Sequence, residues 1–293
     1  MRTSTRFTTA LLIAVLGHAV VSWTSEAAET SVLPPVATSQ LTSDSSVLPS
    51  VVAPQIGDVF LKAGVKSTNS SGRRFEYDDA KGRRYRLKND YYLGGELKSG
   101  WGLLATAVTT GKSVGDGKRD AFGAGDPSLT IIHPALYDDS GTRVWGQLRR
   151  YFAGTDYAKD RSQVQYAYYL FTVAKFAGGW SVFNQLTPRY FDQPSYASGE
   201  TRSFVEDYTN VSKKISSWLK FGVGQHSQVE WHKETSTGTC VEAYPFADIV
   251  LSSNVFLEPR VVLPLQKQNA VYDSPTAVSL DNAQAELYVQ ISI

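Results

Sequence analysis

Cysteine occurs once in the 293 residues, at Cys240, so no disulfide can staple the fold. Methionine also occurs once, as Met1, and leaves the interior no flexible thioether to fill gaps. Charged side chains make up only 19% of the chain, and 29 basic residues nearly cancel 28 acidic ones for a formal net charge of +1. A whole-molecule pull toward nucleic acid is therefore excluded, and any electrostatic function has to be local. Beyond the first 22 residues no apolar run reaches the roughly 20 residues that a membrane-spanning helix needs. From residue 56 onward no stretch shows an amphipathic-helix period with caps. What the chain has instead is aromatics, 16 Tyr, 13 Phe and 6 Trp, within a 42% hydrophobic composition that excludes wholesale disorder.

The N-terminus reads as an address. Arg2 and Arg6 precede an uncharged stretch from Phe7 to Val21, and the small residues Ser25 and Ala27 stand at −3 and −1 of a cleavage point. That order of basic start, apolar middle and small-residue exit predicts a secretory signal peptide over residues 1–27. Residues 28–55 are rich in Ser, Thr, Pro and Val, with the near-duplicates Ser31-Val-Leu-Pro-Pro and Ser46-Val-Leu-Pro-Ser. This composition predicts an extended periplasmic linker.

From residue 56 the apolar period is two. Val59, Leu61, Ala63 and Val65 alternate with Phe60, Lys62, Gly64 and Lys66, and the chain ends on Leu287, Val289, Ile291 and Ile293 alternating with Glu286, Tyr288, Gln290 and Ser292. Such alternation is a strand signal. Turn signals divide the region into twelve strands: about 57–67, 90–98, 101–110, 127–137, 142–152, 162–175, 180–191, 203–211, 215–225, 243–252, 255–264 and 282–293. Every second connection is a tight turn: Ser99-Gly100, Asp138-Asp-Ser-Gly141, Phe176-Ala-Gly-Gly179, Ser212-Lys-Lys214 and Ser253-Asn254. The others are long and polar: Thr68–Asn89, Gly111–Asp126, Ala153–Arg161, Asp192–Arg202, His226–Glu242 and Leu265–Asp281.

A meander with all its long loops at one end fits an all-β, antiparallel, up-and-down transmembrane β-barrel over residues 56–293, with short periplasmic turns and long extracellular loops. In hydrocarbon every backbone polar group needs a protein partner, so the sheet must close and its lipid face must be apolar at alternate positions. Mean hydropathy then stays at −0.23 although the strands span a membrane. Aromatics near strand ends, Tyr91-Tyr92, Trp101, Tyr137, Tyr151-Phe152, Trp180, Tyr190-Phe191 and Tyr244, suit interfacial girdles.

The export signal, the twelve-strand meander and the terminal segment Ala285-Glu-Leu-Tyr-Val-Gln-Ile-Ser-Ile293 resemble Gram-negative outer-membrane, porin-like β-barrels. The resemblance implies that the last strand is read by the outer-membrane assembly machinery, although Ile293 stands where Phe is typical. Gly123-Ala-Gly-Asp126 before a strand, with Gly146 and Gly154 in the next hairpin, is weakly similar to outer-membrane channels for aromatic and hydrophobic compounds.

If the cleaner apolar face meets lipid, the lumen receives Lys62, Lys66, Glu96, Arg143, Gln147, Arg149, Gln165, Gln185, Arg189, Lys220, Asp248, Glu258, Arg260 and Glu286. A mid-membrane Arg or Lys on the lipid face would cost about 2–4 kcal/mol, which assigns these side chains inward. Two readings follow. Opposed basic and acidic walls form a constriction that passes a small-molecule solute, polar or anionic; or the groups pair and fill a non-conducting barrel that acts as an anchor or adhesin. The first long loop carries Arg73, Arg74, Arg83 and Arg84, which suit outer-membrane lipid, lipopolysaccharide phosphates in particular.

Catalytic and cofactor signals are absent or weak, and none is expected. Outer-membrane phospholipases carry Ser and His two apart on one strand face, whereas Ser227 adjoins His226 and so falls on the opposite face. His226, His232 and Glu234, read as loop residues, fit no defined metal spacing. Thr110-Gly-Lys-Ser113 resembles the end of a phosphate-binding loop, but Thr106 replaces its first Gly and no helix follows. Cys240 is expected in the same outer loop, as an outward-facing thiol.

Overall fold

The computed structural model describes residues 55–72, 84–114, 121–196, 200–233, 237–268 and 283–292. The expected signal peptide, nearly all of the expected linker, and Arg73, Arg74, Arg83 and Glu234 lie outside the described residues. Of fifteen strands, three are pieces of two to four residues. The other twelve are β1 (Val59–Gly72), β2 (Arg84–Leu97), β3 (Gly102–Val114), β4 (Ser128–Ile132), β5 (Thr142–Tyr151) and β6 (Val164–Phe176), then β7 (Trp180–Asp192), β8 (Thr201–Lys214), β9 (Leu219–His232), β10 (Gly238–Ser252), β11 (Val255–Gln268) and β12 (Gln284–Ser292). Each pairs antiparallel with its sequence neighbour, and β12 pairs with β1 from Gln284↔Gly72 to Ser292↔Gly64. The sheet is a closed twelve-stranded barrel, so it presents no unpaired edge.

Tight turns and longer connections alternate around the barrel, which defines a turn end and a loop end. At the turn end Asp139 receives hydrogen bonds from Gly141 N–H at 2.8 Å and Thr142 N–H at 2.6 Å, and the Tyr137 hydroxyl donates to its other oxygen at 2.5 Å. The Tyr137 hydroxyl, followed by the two backbone N–H groups, holds the Asp139 carboxyl below its ordinary value. In the β6–β7 turn Gly178 and Gly179 adopt φ of 74° and 78°, a region glycine enters without steric cost. At the loop end one short helix, α1 (Asp156–Asp160), is capped by Thr155, whose hydroxyl accepts from Ala158 N–H at 3.2 Å.

Strand boundaries differ from the sequence expectation mainly at the loop end. β1 continues to Gly72 and β2 begins at Arg84, while β9 and β10 take in His226–His232 and Gly238–Glu242. These extensions carry few apolar residues, so alternation is weak there, yet their backbone groups still pair across the ladder. The β8–β9 turn corrects to Ile215–Trp218, because Lys213 and Lys214 remain paired with Phe221 and Lys220. β4 ends at Ile132, before Pro134, and Tyr137–Asp138 forms a separate short pairing with β5.

Two faces result. Leu93, Leu103, Leu129, Ile131, Leu148, Val211, Phe221, Val223 and Leu251 point outward and are exposed, a far larger apolar surface than a water-soluble sheet tolerates. The aromatic pairs correct the girdle expectation, since alternation sends one ring of each pair inward. Tyr91, Phe152 and Tyr190 face out, whereas Tyr92 is buried, Tyr151 hydrogen-bonds Tyr169 inside, and Tyr244 is 2% exposed in the interior. Trp101, Trp180 and Trp218 are exposed at the turn end, and Tyr166, Tyr190 and Trp231 toward the loop end.

Glycine admits the interior rings. A Cβ at Gly224 would sit 2.2 Å from Tyr244 Cε2, and one at Gly64 would sit 2.4 Å from the Tyr92 hydroxyl. Gly224→Ala therefore forces Tyr244 from its place, and we expect a loss of about 1–3 kcal/mol, typical of overpacking, in urea unfolding of the refolded barrel.

Candidate functional site

Lys62, Lys66, Arg143, Arg149, Arg189, Lys220, Asp248, Glu258, Arg260 and Glu286 all stand on the interior face, because each falls on the strand parity of a buried neighbour. Toward the turn end the charges pair. Lys62 salt-bridges Glu96 across β1–β2, and Lys220 meets Asp248 at 3.3 Å across β9–β10 with both side chains nearly inaccessible. Arg143 reaches Asp138 at 3.5 Å. Higher on the acidic wall Arg260 binds Glu286 at 2.5 Å and Glu258 at 3.5 Å.

The opposite wall is different. Arg149, 9% exposed, donates to Thr130 at 2.9 Å and to the Tyr151 hydroxyl at 3.3 Å. Its guanidinium lies 4.7 Å from the Tyr169 ring centroid. Arg189 donates to the Tyr169 hydroxyl at 3.1 Å and stands 3.8 Å from Glu206. Lys66, 7% exposed, lies within electrostatic range of Arg149 although the two are on β1 and β5. Among the described residues neither Lys66 nor Arg149 makes an ion pair; Asp90, across β1–β2 from Lys66 and within electrostatic range of both, is bound by Lys88 at 3.0 Å. Two cations and a tyrosine pair thus form an under-compensated basic patch, a place where a passing anion replaces lost hydration.

Facing it lies a cluster that sequence reasoning assigned to a loop. His226 is buried inside, with Nδ1 2.9 Å from Glu242 Oε2, Nε2 3.9 Å from Glu206 Oε1, and its ring stacked on Tyr208 at 4.2 Å between centroids. Glu206 and Glu242 were not singled out from sequence; the interior alternation of Phe204, Glu206, Tyr208 and Asn210 is the signal for the first. Cys240 is corrected likewise: it lies on β10, on the same face as Glu242 and Tyr244. His226 faces inward and Ser227 outward, so these two cannot share a proton. Among the described residues no group of His, Cys, Asp and Glu can hold a metal ion. Of the basic first-loop cluster only the backbone of Arg84 is described, paired with Gly72 and Val114.

At mid-height the interior is packed with rings. Trp145 and Phe171 stack at 5.1 Å, Tyr169 and Phe171 at 6.0 Å, and Phe183 packs against Phe171 at 6.2 Å. Phe171 is 0% exposed, and these rings, all on β5, β6 and β7, fill that side of the interior.

The chain matches no protein-family model and no curated protein sequence. Its fold resembles that of an outer-membrane channel from Pseudomonas putida F1, with a TM-score of 0.56 at 9% identity over 84% of this chain and 99% of that one. The NanC porin aligns over 78% of this chain and 98% of its own at a TM-score of 0.46 and 11% identity, and the KdgM porin over 78% and 99% at 0.42 and 12%. The twelve strands, their closure through β12–β1 and the likeness to the first of these give the chain the fold of an outer-membrane channel barrel.

Proposed function

We propose that this barrel resides in a Gram-negative outer membrane and passes small polar solutes by diffusion, anions in preference to cations. The observation that carries the reading is the pair Lys66 and Arg149, buried in the interior with no ion pair among the described residues, beside Arg189 and two tyrosines, while the nearby Asp90 carboxylate is held by Lys88. Glu206 lies 3.8 Å from Arg189 on the neighbouring strand, Glu242 contacts His226 and Glu286 is bound by Arg260, so these carboxylates are engaged by other side chains and the excess charge that meets a solute is positive. The exposed apolar exterior supports the membrane location, because only a closed sheet with such a face satisfies hydrocarbon. Residues 1–27 then act as the export signal and 28–55 as a periplasmic tether. The final strand engages the assembly machinery, and Arg73, Arg74, Arg83 and Arg84 contact lipopolysaccharide phosphates.

A second reading has its own support. The full burial of Phe171 and the close pairing of Lys220 with Asp248 suit a filled barrel that serves as an anchor. Reversal potentials in a KCl gradient separate the two. The channel reading predicts anion selectivity that falls several-fold in Arg149→Ala. An unchanged selectivity would mean that Arg149 does not line the path, and a folded but silent barrel would favour the anchor.

A further inference from the structure

The exterior carries a polar island where the surrounding wall is aliphatic. Thr172 on β6, Asn184 on β7, Asp207 and Thr209 on β8, and Gln225 and Ser227 on β9 all face outward. Register makes them one patch: Thr172↔Asn184, Asn184↔Thr209, Thr209↔Gln225 and Asp207↔Ser227 are directly paired. Leu186, Val205 and Val229 border it on the loop side, and Val182, Val211 and Val223 on the turn side. Within it, Asn184 Nδ2 donates to Asp207 Oδ1 at 2.6 Å and to Thr209 Oγ1 at 2.9 Å, and Thr209 donates to Asp207 Oδ2 at 3.1 Å. Gln225 stands exposed beside them.

Its depth is what makes it unusual. Asn184 is four residues from exposed Trp180 and six from exposed Tyr190, and Ser227 is four residues from exposed Trp231. A strand rises about 3.3 Å per residue at a tilt of about 40°, so four residues correspond to roughly 10 Å of depth. The island therefore lies inside the apolar band between the two aromatic levels, out of reach of water and headgroups. A carboxylate there is costly unless other polar groups cover it.

We infer that this island is the contact surface for a second copy of the chain, an inference that rests on the membrane placement proposed above. A two-fold axis along the membrane normal keeps both copies at one depth and in one orientation, so the island of each meets the island of the other. Gln225, Ser227 and Thr172 each carry both a donor and an acceptor, and are therefore self-complementary. The Gln225 amide of one copy can donate to the Asp207 carboxylate of the other, which then answers in kind. Within one copy Asn184 and Thr209 use one acceptor site on each Asp207 oxygen, but hydrocarbon offers nothing to the remaining sites or to the Gln225 amide, whereas a like copy offers partners for both at the right height.

Sedimentation equilibrium of the refolded chain in density-matched micelles tests this, with heat-modifiable gel mobility reporting separately that the barrel has formed. The wild type should sediment as a dimer, and Asp207→Leu/Gln225→Leu should weaken the dimer about tenfold or more while the barrel stays folded. Gln225→Leu alone should give a smaller shift of the same sign, and serves if the double variant fails to fold. A wild type that is monomeric at every concentration, or a dimer equally strong in the variants, would overturn the inference. A chain that forms no heat-modifiable barrel would instead count against the membrane reading itself.

Discussion

Phe171→Ala raises the single-channel conductance of the refolded barrel several-fold. The ring is wholly inaccessible and touches Trp145, Tyr169 and Phe183, so it sits at the centre of the ring cluster that β5, β6 and β7 project into the interior at mid-height. Its removal leaves a void beside Gln185, its register partner on β7, with Gln147 and Thr187 two residues along the same interior face, polar enough for water to enter. Loss of packing costs about 3–5 kcal/mol, but the ladder that closes the barrel is untouched. Conductance therefore rises while heat-modifiable mobility persists. A conductance equal to that of the wild type would place the limiting layer elsewhere.

The second large effect is on stability. Lys220→Met removes the cation that faces Asp248 at 3.3 Å, where Lys220 is 2% exposed and Glu258 lies beside the same carboxylate. Breaking one side of a buried pair costs about 3–5 kcal/mol, since the remaining charge has lost its compensation. Replacing both partners, as in Lys220→Met/Asp248→Leu, should restore most of that loss, because an apolar pair of similar volume carries no desolvation penalty. Urea unfolding midpoints in lipid vesicles read both. A double variant as unstable as the single one would show that Asp248 is not what Lys220 compensates.

Much of this architecture was legible from alternation alone. Wherever one face was aliphatic and the other polar, as in Val59–Lys66 and Leu287–Ile291, period two located the strand and its interior side chains together. Legibility failed where polar residues interrupt the outward face. Gln225 and Ser227 break the apolar alternation before Val229 and Trp231 resume it, so the stretch from His226 to His232 read as loop although its backbone pairs with β8 and, as far as Glu230, with β10. His226 and its contact with Glu242 were hidden for that reason. Glu206 and Asp207 show a second limit. Two adjacent acids on a strand must face opposite ways, so the rule that sends charge inward accommodates only one of them, and Asp207, on the parity of Val205 and Val211, is the outward one. The aromatic doublets Tyr91-Tyr92, Tyr151-Phe152 and Tyr190-Phe191 obey the same geometry, which explains why one ring of each doublet lines the interior.

The most direct test is planar-bilayer recording of the refolded chain in a KCl gradient. A barrel with Lys66 and Arg149 under-compensated in its interior predicts small, discrete conductance steps and a reversal potential on the anion side. Absence of any step from a barrel shown to be folded, or a reversal potential on the cation side, would contradict it.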